Sequence, residues 1–158
     1  MSECDQPVFK RLVGTLTDAG ISFRHLHHEP VYTSPDAARV RGTPLHSGAK
    51  ALLLSGGGAF RLAVMPADLA LDNNALRKVL GSRRLRFATK EEVVDLTGLT
   101  PGSIPPFGSL FDLQTICDER LADNEQVVFN AGSHSDSIQM KYSDYIAFEQ
   151  PQIARIAK

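Results

Sequence analysis

Residues 49–66, AKALLLSGGGAFRLAVMP, decide how this chain folds. Two apolar runs, 49–54 and 60–65, flank three consecutive glycines at 56–58. Because glycine adopts positive φ angles without steric cost, a glycine run between two apolar runs predicts a tight β-hairpin. The glycine triplet lacks the GK[ST] ending of a phosphate-binding loop, so the hairpin is the preferred interpretation.

The flanking sequence mixes helical and extended patterns. Helices are predicted in residues 7–20, 34–42 with Ser34 as N-cap, 71–81, 89–97 and 143–157 with a break near Pro151. Strands besides the hairpin are predicted in residues 21–29, 84–89, 113–119, 126–132 and 137–142. Since there is no regular βαβ alternation, the sequence predicts one α+β domain over residues 1–158, with a mixed, mostly antiparallel β-sheet flanked by helices.

The composition narrows the classes of function. The 158 residues carry a formal net charge of −1, so the strongly basic face of a duplex-binding protein is not expected, although contact with the end of an RNA stays compatible. Cys4 and Cys117 lie far apart and predict free thiols in a reducing compartment. The N-terminus has no basic-plus-apolar leader and no apolar run reaches about 20 residues, so we expect a cytoplasmic protein without a membrane span.

Lys50 is unusual because it lies in an otherwise apolar run. On a strand it would share a face with Leu52 and Leu54. If that face is buried, the ammonium needs a partner or a charged ligand. Alternatively, the aliphatic stem covers apolar surface while the head reaches water. The residues alone leave both interpretations open.

The histidines do not form a metal motif. His25 and His27 would share one face of a strand, but a third ligand such as His46 or His134 is not required by any spacing. We therefore predict hydrogen-bonding histidines, no metal and no cofactor. The sequence has neither a GxSxG elbow nor a cysteine in an activating context, so a covalent nucleophile is not expected.

Two loops and one basic cluster could carry function. The loop TGLTPGSIPPFGSL, residues 97–110, is too rich in proline and glycine for a regular helix, and is either a shaped ligand surface or only a turn. Residues 131–137, AGSHSDS, offer hydroxyls, an imidazole and a carboxylate, or form a simple polar turn. Arg83, Arg84 and Arg86 form either a solvated face or a phosphate contact.

Taken together and in this order, several segments resemble the YbaK/prolyl-tRNA-synthetase-associated editing domain family. The resemblance covers residues 8 to 156 and is carried by HEPVYT at 28–33, GAKALLL at 48–54, LAVMPADLALD at 62–72, TGLTPGSIPPFG at 97–108 and FNAGSHSDSIQMKYSDY at 129–145. Within the family, the chain looks most like the freestanding branch that clears seryl- and threonyl-charged tRNAs. Alanyl- and cysteinyl-tRNA(Pro) deacylases of the same family are the alternative.

The resemblance implies hydrolysis of the ester between a wrong amino acid and the 3′-terminal adenosine of a tRNA. It implies that Lys50 holds the 3′ end and that the backbone of Gly108 faces the substrate. The residues then expected to bind substrate are His28, Tyr32, Thr43, His46, Ser47, Pro106, Phe107, Gly132, Ser133, His134 and Ser137, with Asp136 in the same turn.

The implied partner is the aminoacylated 3′ end of tRNA, and an aminoacyl-tRNA synthetase is a second candidate partner. An activated ester needs positioning, a water molecule and stabilisation of the oxyanion, which a rigid glycine-containing loop can supply. Hydroxyls in the pocket would select serine or threonine by hydrogen bonding. A catalytically idle module that binds the tRNA 3′ end or a protein remains the competing interpretation, beside deacylation of another small ester or amide.

Overall fold

The computed structural model describes residues 6–158, so Cys4 lies outside the described residues. Five α-helices are present: α1 (Pro7–Asp18), α2 (Ser34–Arg41), α3 (Asn73–Leu80), α4 (Lys90–Thr97) and α5 (Tyr142–Glu149). The strands are β1 (Phe23–His27), β2 (Ala49–Gly56), β3 (Ala59–Pro66), β4 (Leu85–Phe87), β5 (Gln114–Asp118), β6 (Gln126–Asn130), β7 (Asp136–Lys141) and β8 (Gln152–Ala154). Short 3₁₀ turns cover Leu45–Ser47, Gly108–Phe111 and Glu119–Asp123.

The strands form two sheets rather than one. A three-stranded antiparallel sheet has the order β1-β7-β6, and a five-stranded sheet has the order β4-β2-β3-β5-β8. In the larger sheet β2 pairs antiparallel with β3 and β4, whereas β5 lies parallel to β3 and β8. A bridge between Gly48 and Val128 joins the sheets. The α+β class with mixed, mostly antiparallel pairing is confirmed, and the division into two sheets is the difference from the prediction.

The predicted hairpin is β2–β3. Leu53 lies opposite Leu62, and Gly56 lies opposite Ala59. Gly57 and Gly58 have φ angles of 66° and 81°, the left-handed region that side chains disfavour. This local requirement explains why a glycine run marks the turn.

The helix termini follow their capping signals with one correction. Asp72 caps α3, and Thr89 forms a capping box with Glu92 at the start of α4. At α2 the cap is Thr33, whose hydroxyl accepts from the Asp36 amide at 3.3 Å, while Ser34 is the first helical residue. The Ser34 cap was wrong by one position because Thr33 offers an equivalent hydroxyl.

The predicted helix over 143–157 was wrong in its second half. Helix α5 ends at Glu149, Gln150 adopts a left-handed conformation, and Pro151 cannot continue a helix. The chain then adds β8 to the edge of β5, where the Asp118 carboxylate accepts from the backbone amides of Ile156 and Ala157 at 2.9 and 2.8 Å. Tertiary hydrogen bonds therefore override the local helical pattern.

Aromatic packing fixes the interior next to the loop 97–110. Phe107 is fully buried and makes edge-to-face contacts with Phe129 and Tyr145 at centroid distances of 5.5 and 5.1 Å. The Tyr145 hydroxyl donates to the Pro106 carbonyl at 2.6 Å. Among residues 6–158, no helix combines the length and apolarity that a membrane crossing requires.

Candidate active site

A cavity of about 720 Å³ opens at the start of β2. Its walls come from α2, from the loop after α4 and from the end of β6. The residues that line it include Tyr32, Arg41, Thr43, Lys50, Lys90, Thr100, Gly102, Asn130 and His134. A cavity of this size suits a nucleoside-sized ligand.

The electrostatic character of the cavity is positive. Arg41, Lys50 and Lys90 line it, and no aspartate or glutamate of residues 6–158 does so. The whole chain carries a formal net charge of −1, so this concentration of positive charge is local. Such a cleft attracts anionic ligands.

Lys50 is the second residue of β2 and is half-buried. Its ammonium donates to the carbonyl oxygen of Leu69. Burial lowers the pKa of Lys50, and the nearby Asp68 carboxylate partly opposes that shift. An ammonium has three N–H donors, and this bond uses one of them. Of the two interpretations of Lys50, the structure supports the one in which the ammonium has a partner within the protein.

Arg41 links α2 to the opposite wall and was not identified from the sequence. Its Nε donates to Ser137 Oγ at 2.9 Å, and its Nη2 donates to Asn130 Oδ1 at 2.8 Å. Burial lowers the pKa of Arg41 to about 10, so the guanidinium stays charged at neutral pH. Asn130 Nδ2 in turn donates to the Gly102 carbonyl at 2.7 Å. Arg41 and Asn130 look like ordinary polar residues at a helix end and a strand end, so no local signal marks them.

His134 is fixed at the cavity wall by three contacts. Its backbone carbonyl accepts from the Val31 amide at 3.0 Å, and its Nδ1 lies 3.2 Å from the Val31 carbonyl. Because a carbonyl can only accept, Nδ1 carries a proton in this contact. Nε2 lies 3.3 Å from the Thr100 hydroxyl. The Nε2 atom of the imidazole thus faces the loop after α4.

The structure brings four of the predicted site residues to the cavity: Tyr32, Thr43, Lys50 and His134. The other nine lie elsewhere in the fold: His28, His46, Ser47, Pro106, Phe107, Gly108, Gly132, Ser133 and Ser137.

Gly108 requires a correction. Its amide donates to Thr115 Oγ1 at 2.9 Å, and the residue is buried beside the core residue Phe107. The expectation that Gly108 presents its backbone to a substrate therefore does not match its position. Gly102 lines the cavity instead, with a φ of 88°, and a Cβ there would lie 3.3 Å from His134 Cε1. Both glycines belong to one loop, and the sequence pattern cannot tell which of them faces the cavity.

The predicted hydroxyl and imidazole groups outside the cavity are bonded within the protein. Ser47 donates to the Pro44 carbonyl at 2.7 Å, and His46 Nδ1 lies 2.6 Å from Asn124 Oδ1 beside a separate, smaller pocket. Ser133 donates to Asp136 Oδ2 at 2.9 Å.

Ser137 reaches the cavity indirectly. Its hydroxyl bonds both Arg41 and His28 Nε2, the latter at 2.8 Å, and therefore supports the Arg41 guanidinium.

Thr43 differs from all of these groups, because its Oγ1 is buried at the cavity without a hydrogen-bond partner among residues 6–158.

The remaining candidates for chemistry have structural roles. His25 Nε2 and His27 Nδ1 contact Asp136 Oδ1 at 2.7 and 2.9 Å, and no group of three metal-ligating side chains occurs within residues 6–158. Burial raises the pKa of the Cys117 thiol to about 12, so it is not a thiolate at neutral pH. In the basic cluster, Arg86 pairs with Glu92 at 2.7 Å on the surface.

Comparison with known proteins identifies the family of this chain. The family model described as aminoacyl-tRNA editing domain matches residues 28–148. The multifunctional Ser/Thr-tRNA deacylase ProXp-y of Escherichia coli (strain K12) is 34% identical over 154 residues, covering 94% of this chain and 92% of that protein. The prolyl-tRNA editing protein ProX of Acetoanaerobium sticklandii is 25% identical over 146 residues, covering 89% of each chain.

A solved structure extends the likeness to three dimensions. The crystal structure of a candidate trans-editing enzyme for prolyl tRNA synthetase has a TM-score of 0.83 and 25% identity, covering 96% of this chain and 98% of that chain. The family match extends over the strands and loops that build the cavity, including Tyr32, Lys50, Gly102 and His134. The chain belongs to the aminoacyl-tRNA editing domain family.

Proposed function

We propose that this protein, acting as a single editing domain over residues 1–158, hydrolyses the ester bond of mischarged aminoacyl-tRNA in trans. The observation that carries the proposal is the cavity lined by Arg41, Lys50 and Lys90 without a carboxylate among the described residues. A tRNA 3′ end brings phosphates into such a cleft, and an aminoacyl ester adds a carbonyl oxygen that becomes negative in the transition state. The relative named as a Ser/Thr-tRNA deacylase supports the same reaction.

We assign to Lys50 the binding of the reacting end of the substrate. Its ammonium is anchored to the Leu69 carbonyl and keeps two donors for the terminal phosphate or the developing oxyanion. The partly buried position strengthens such an interaction, because water screens it less. Gly102 has no side chain, so the substrate can approach the main chain of the loop.

Water is the nucleophile in this proposal. Cys117 is buried outside the cavity with a raised pKa, and the Thr100 hydroxyl is already engaged with His134. The lone pair on His134 Nε2 is suitably placed to accept a proton from a water that displaces Thr100 from that nitrogen. The carbonyl of Val31 then stabilises the imidazolium that forms, through its contact with Nδ1. As the bond between the acyl carbon and the ribose oxygen breaks, the imidazolium returns its proton to that oxygen, which leaves as a hydroxyl.

The proposed enzyme selects seryl and threonyl esters through a hydroxyl of the cavity. Of the hydroxyl-bearing residues expected to bind substrate, Thr43 lines the cavity with an unpartnered, buried Oγ1. A turn of the Thr43 side chain toward the cavity would pair this hydroxyl with a substrate side-chain hydroxyl, whereas an alanyl substrate would leave it unpaired at a cost of about 1–3 kcal/mol. This agrees with the name of the Escherichia coli relative.

The test is single-turnover deacylation of tRNAs charged with Ser, Thr, Ala, Cys or Pro. We expect hydrolysis of seryl- and threonyl-tRNA, and a loss of about 100-fold or more in the Lys50→Ala variant, as for removal of an oxyanion-stabilising donor. Lys78→Ala is the matched control, because Lys78 is an exposed lysine of α3 away from the cavity. Hydrolysis of none of the five, or full activity of Lys50→Ala, would overturn the proposal.

A further inference from the structure

We propose that Tyr32 forms a stacking platform for the unpaired terminal nucleobase of an RNA 3′ end. The proposal rests on the proposed function only in its choice of ligand, a single-stranded RNA end. Tyr32 is 76% exposed and lines the mouth of the cavity. A large aromatic side chain so exposed beside a ligand cavity offers one free ring face to a planar partner.

The tyrosine ring is held in place from behind. It packs against the His134 ring with a centroid distance of 4.7 Å and an interplanar angle of 39°. His134 is itself tied to Val31, the residue before Tyr32, through a backbone hydrogen bond of 3.0 Å and through its ring nitrogen. Val31 is buried, so the base of the platform belongs to the core. Binding then loses little side-chain entropy, because the ring is already oriented.

The charges around the platform favour nucleic acid over a protein partner. Exposed Lys90 and partly buried Arg41 and Lys50 line the same cavity, and no carboxylate of the described residues does. Cations that follow a phosphate backbone beside an aromatic ring that stacks on a base are the recurring elements of single-strand recognition. Stacking tolerates every base, because each has a π face. The platform therefore supplies affinity and orientation without reading the sequence.

The experiment uses an uncharged RNA hairpin whose single-stranded 3′ tail ends in 2-aminopurine, a fluorescent base that is quenched when it stacks. The full-length wild-type protein should quench the terminal 2-aminopurine, and Tyr32→Phe should quench it equally. Tyr32→Ala should abolish the quenching and weaken binding about tenfold. Phe87→Ala is the matched control, since Phe87 is 56% exposed on β4 but does not line the cavity.

Two results would overturn the platform: no quenching by a wild-type protein that binds the hairpin, or undiminished quenching by Tyr32→Ala. Circular dichroism and thermal unfolding verify that each variant is folded. Because the hairpin carries no amino acid, the readout does not depend on hydrolysis. A protein that quenches without deacylating any tRNA contradicts only the proposed function, and one that deacylates without quenching contradicts only the platform.

Discussion

Two residues of the same type can have different structural constraints in this fold, as two glycines of one loop show. Gly102 and Gly108 lie in one loop, but Gly102 has a φ of 88° at the cavity whereas Gly108 is packed against neighbouring main chain. A Cβ on Gly108 would lie 2.5 Å from Thr115 Oγ1 and 2.6 Å from the Leu113 carbonyl. Substitution at Gly102 therefore tests the site, and substitution at Gly108 tests packing.

Gly108→Ala should lower the free energy of unfolding by about 1–3 kcal/mol, as overpacking of a filled core does. The fraction that folds should keep its deacylation rate. Urea denaturation gives the first quantity and single-turnover kinetics the second. Gly14→Ala in α1 is the control, because a Cβ there meets nothing within 4 Å and should stabilise the helix by about 0.5–1 kcal/mol. An unaltered free energy of unfolding together with lost activity would return Gly108 to the active site.

Thr43→Val should discriminate between substrates. The variant removes the buried hydroxyl at the cavity while keeping the branched shape of the side chain. We expect kcat/KM for seryl-tRNA to fall about tenfold, the value of one hydrogen bond to a buried group, while that for alanyl-tRNA does not fall. Competition between the two charged tRNAs measures the ratio directly. Equal losses for both substrates would assign Thr43 to general structure instead of selection.

At the scale of elements, the loop from Gly98 to Phe107 is irregular in sequence but firmly attached. Asn130 Nδ2 donates to the Gly102 carbonyl at 2.7 Å, and the Gly132 amide donates to the Ser103 carbonyl at 2.9 Å. Tyr145 of α5 secures the far end through the Pro106 carbonyl. Strand β6 and helix α5 thus determine where the loop meets the cavity, and the loop is neither a free connector nor a surface on its own.

Tyr145→Phe should lower the free energy of unfolding by about 1–2 kcal/mol, because the buried Pro106 carbonyl loses its donor. The aromatic contact with Phe107 remains in the variant, so the difference reports the hydrogen bond. Tyr142→Phe is the matched control, since the Tyr142 hydroxyl makes no such bond within residues 6–158 and its loss should change the free energy by less than about 0.5 kcal/mol. Equal effects of the two substitutions would show that Tyr145 acts only through packing.

Across the whole molecule, the features predicted from sequence are those that local chemistry requires. The β2–β3 hairpin followed from Gly57 and Gly58, and the start of α4 followed from the cap at Thr89. Strand β8 could not be predicted, since its hydrogen bonds come from β5, far away in sequence.

The candidate site likewise contains residues that the sequence marks and residues that only the fold brings together. Lys50 was recognisable because a charge in an apolar run is anomalous. The Arg41–Asn130 pair was not, because only the folded chain brings together the end of α2 and the end of β6.

Acid stability should depend on Asp118, which connects β5 to the C-terminal segment. Its fully buried carboxylate accepts from Arg120, Ile156 and Ala157. Burial raises its pKa, but these hydrogen bonds outweigh burial and leave the pKa below the ordinary value. A carboxyl whose pKa is lower in the folded state stabilises the protein above about pH 4, and that stabilisation disappears as the pH falls through the folded-state pKa.

We therefore expect wild-type protein to lose unfolding free energy progressively below about pH 4. Asp118→Asn should be less stable by about 1–3 kcal/mol at pH 7, because the buried amides of Ile156 and Ala157 and the partly exposed Arg120 lose a charged acceptor. The variant should also lose less stability on acidification. Part of the dependence on pH should remain because of Asp136: burial raises its pKa, but hydrogen bonds with His27, His25 and Ser133 together outweigh burial and leave the pKa lowered. Urea denaturation from pH 2 to 7 measures both effects. Parallel pH profiles for wild type and Asp118→Asn would show that Asp118 does not contribute to the acid sensitivity.

The concentration of positive charge at one cavity of a protein with a net charge of −1 has a consequence for ionic strength. Single-stranded phosphates release about 0.7 counterions each when a protein neutralises them, so three cations correspond to a slope of about −2 in log affinity against log salt concentration. This dependence is shallow compared with that of proteins that follow a duplex over many phosphates. The cavity itself therefore adds little salt-dependent affinity, and it would admit any exposed aminoacylated end at physiological salt. Discrimination among tRNAs must then come from chemistry at that end, from contacts outside the cavity or from a second protein that presents the end.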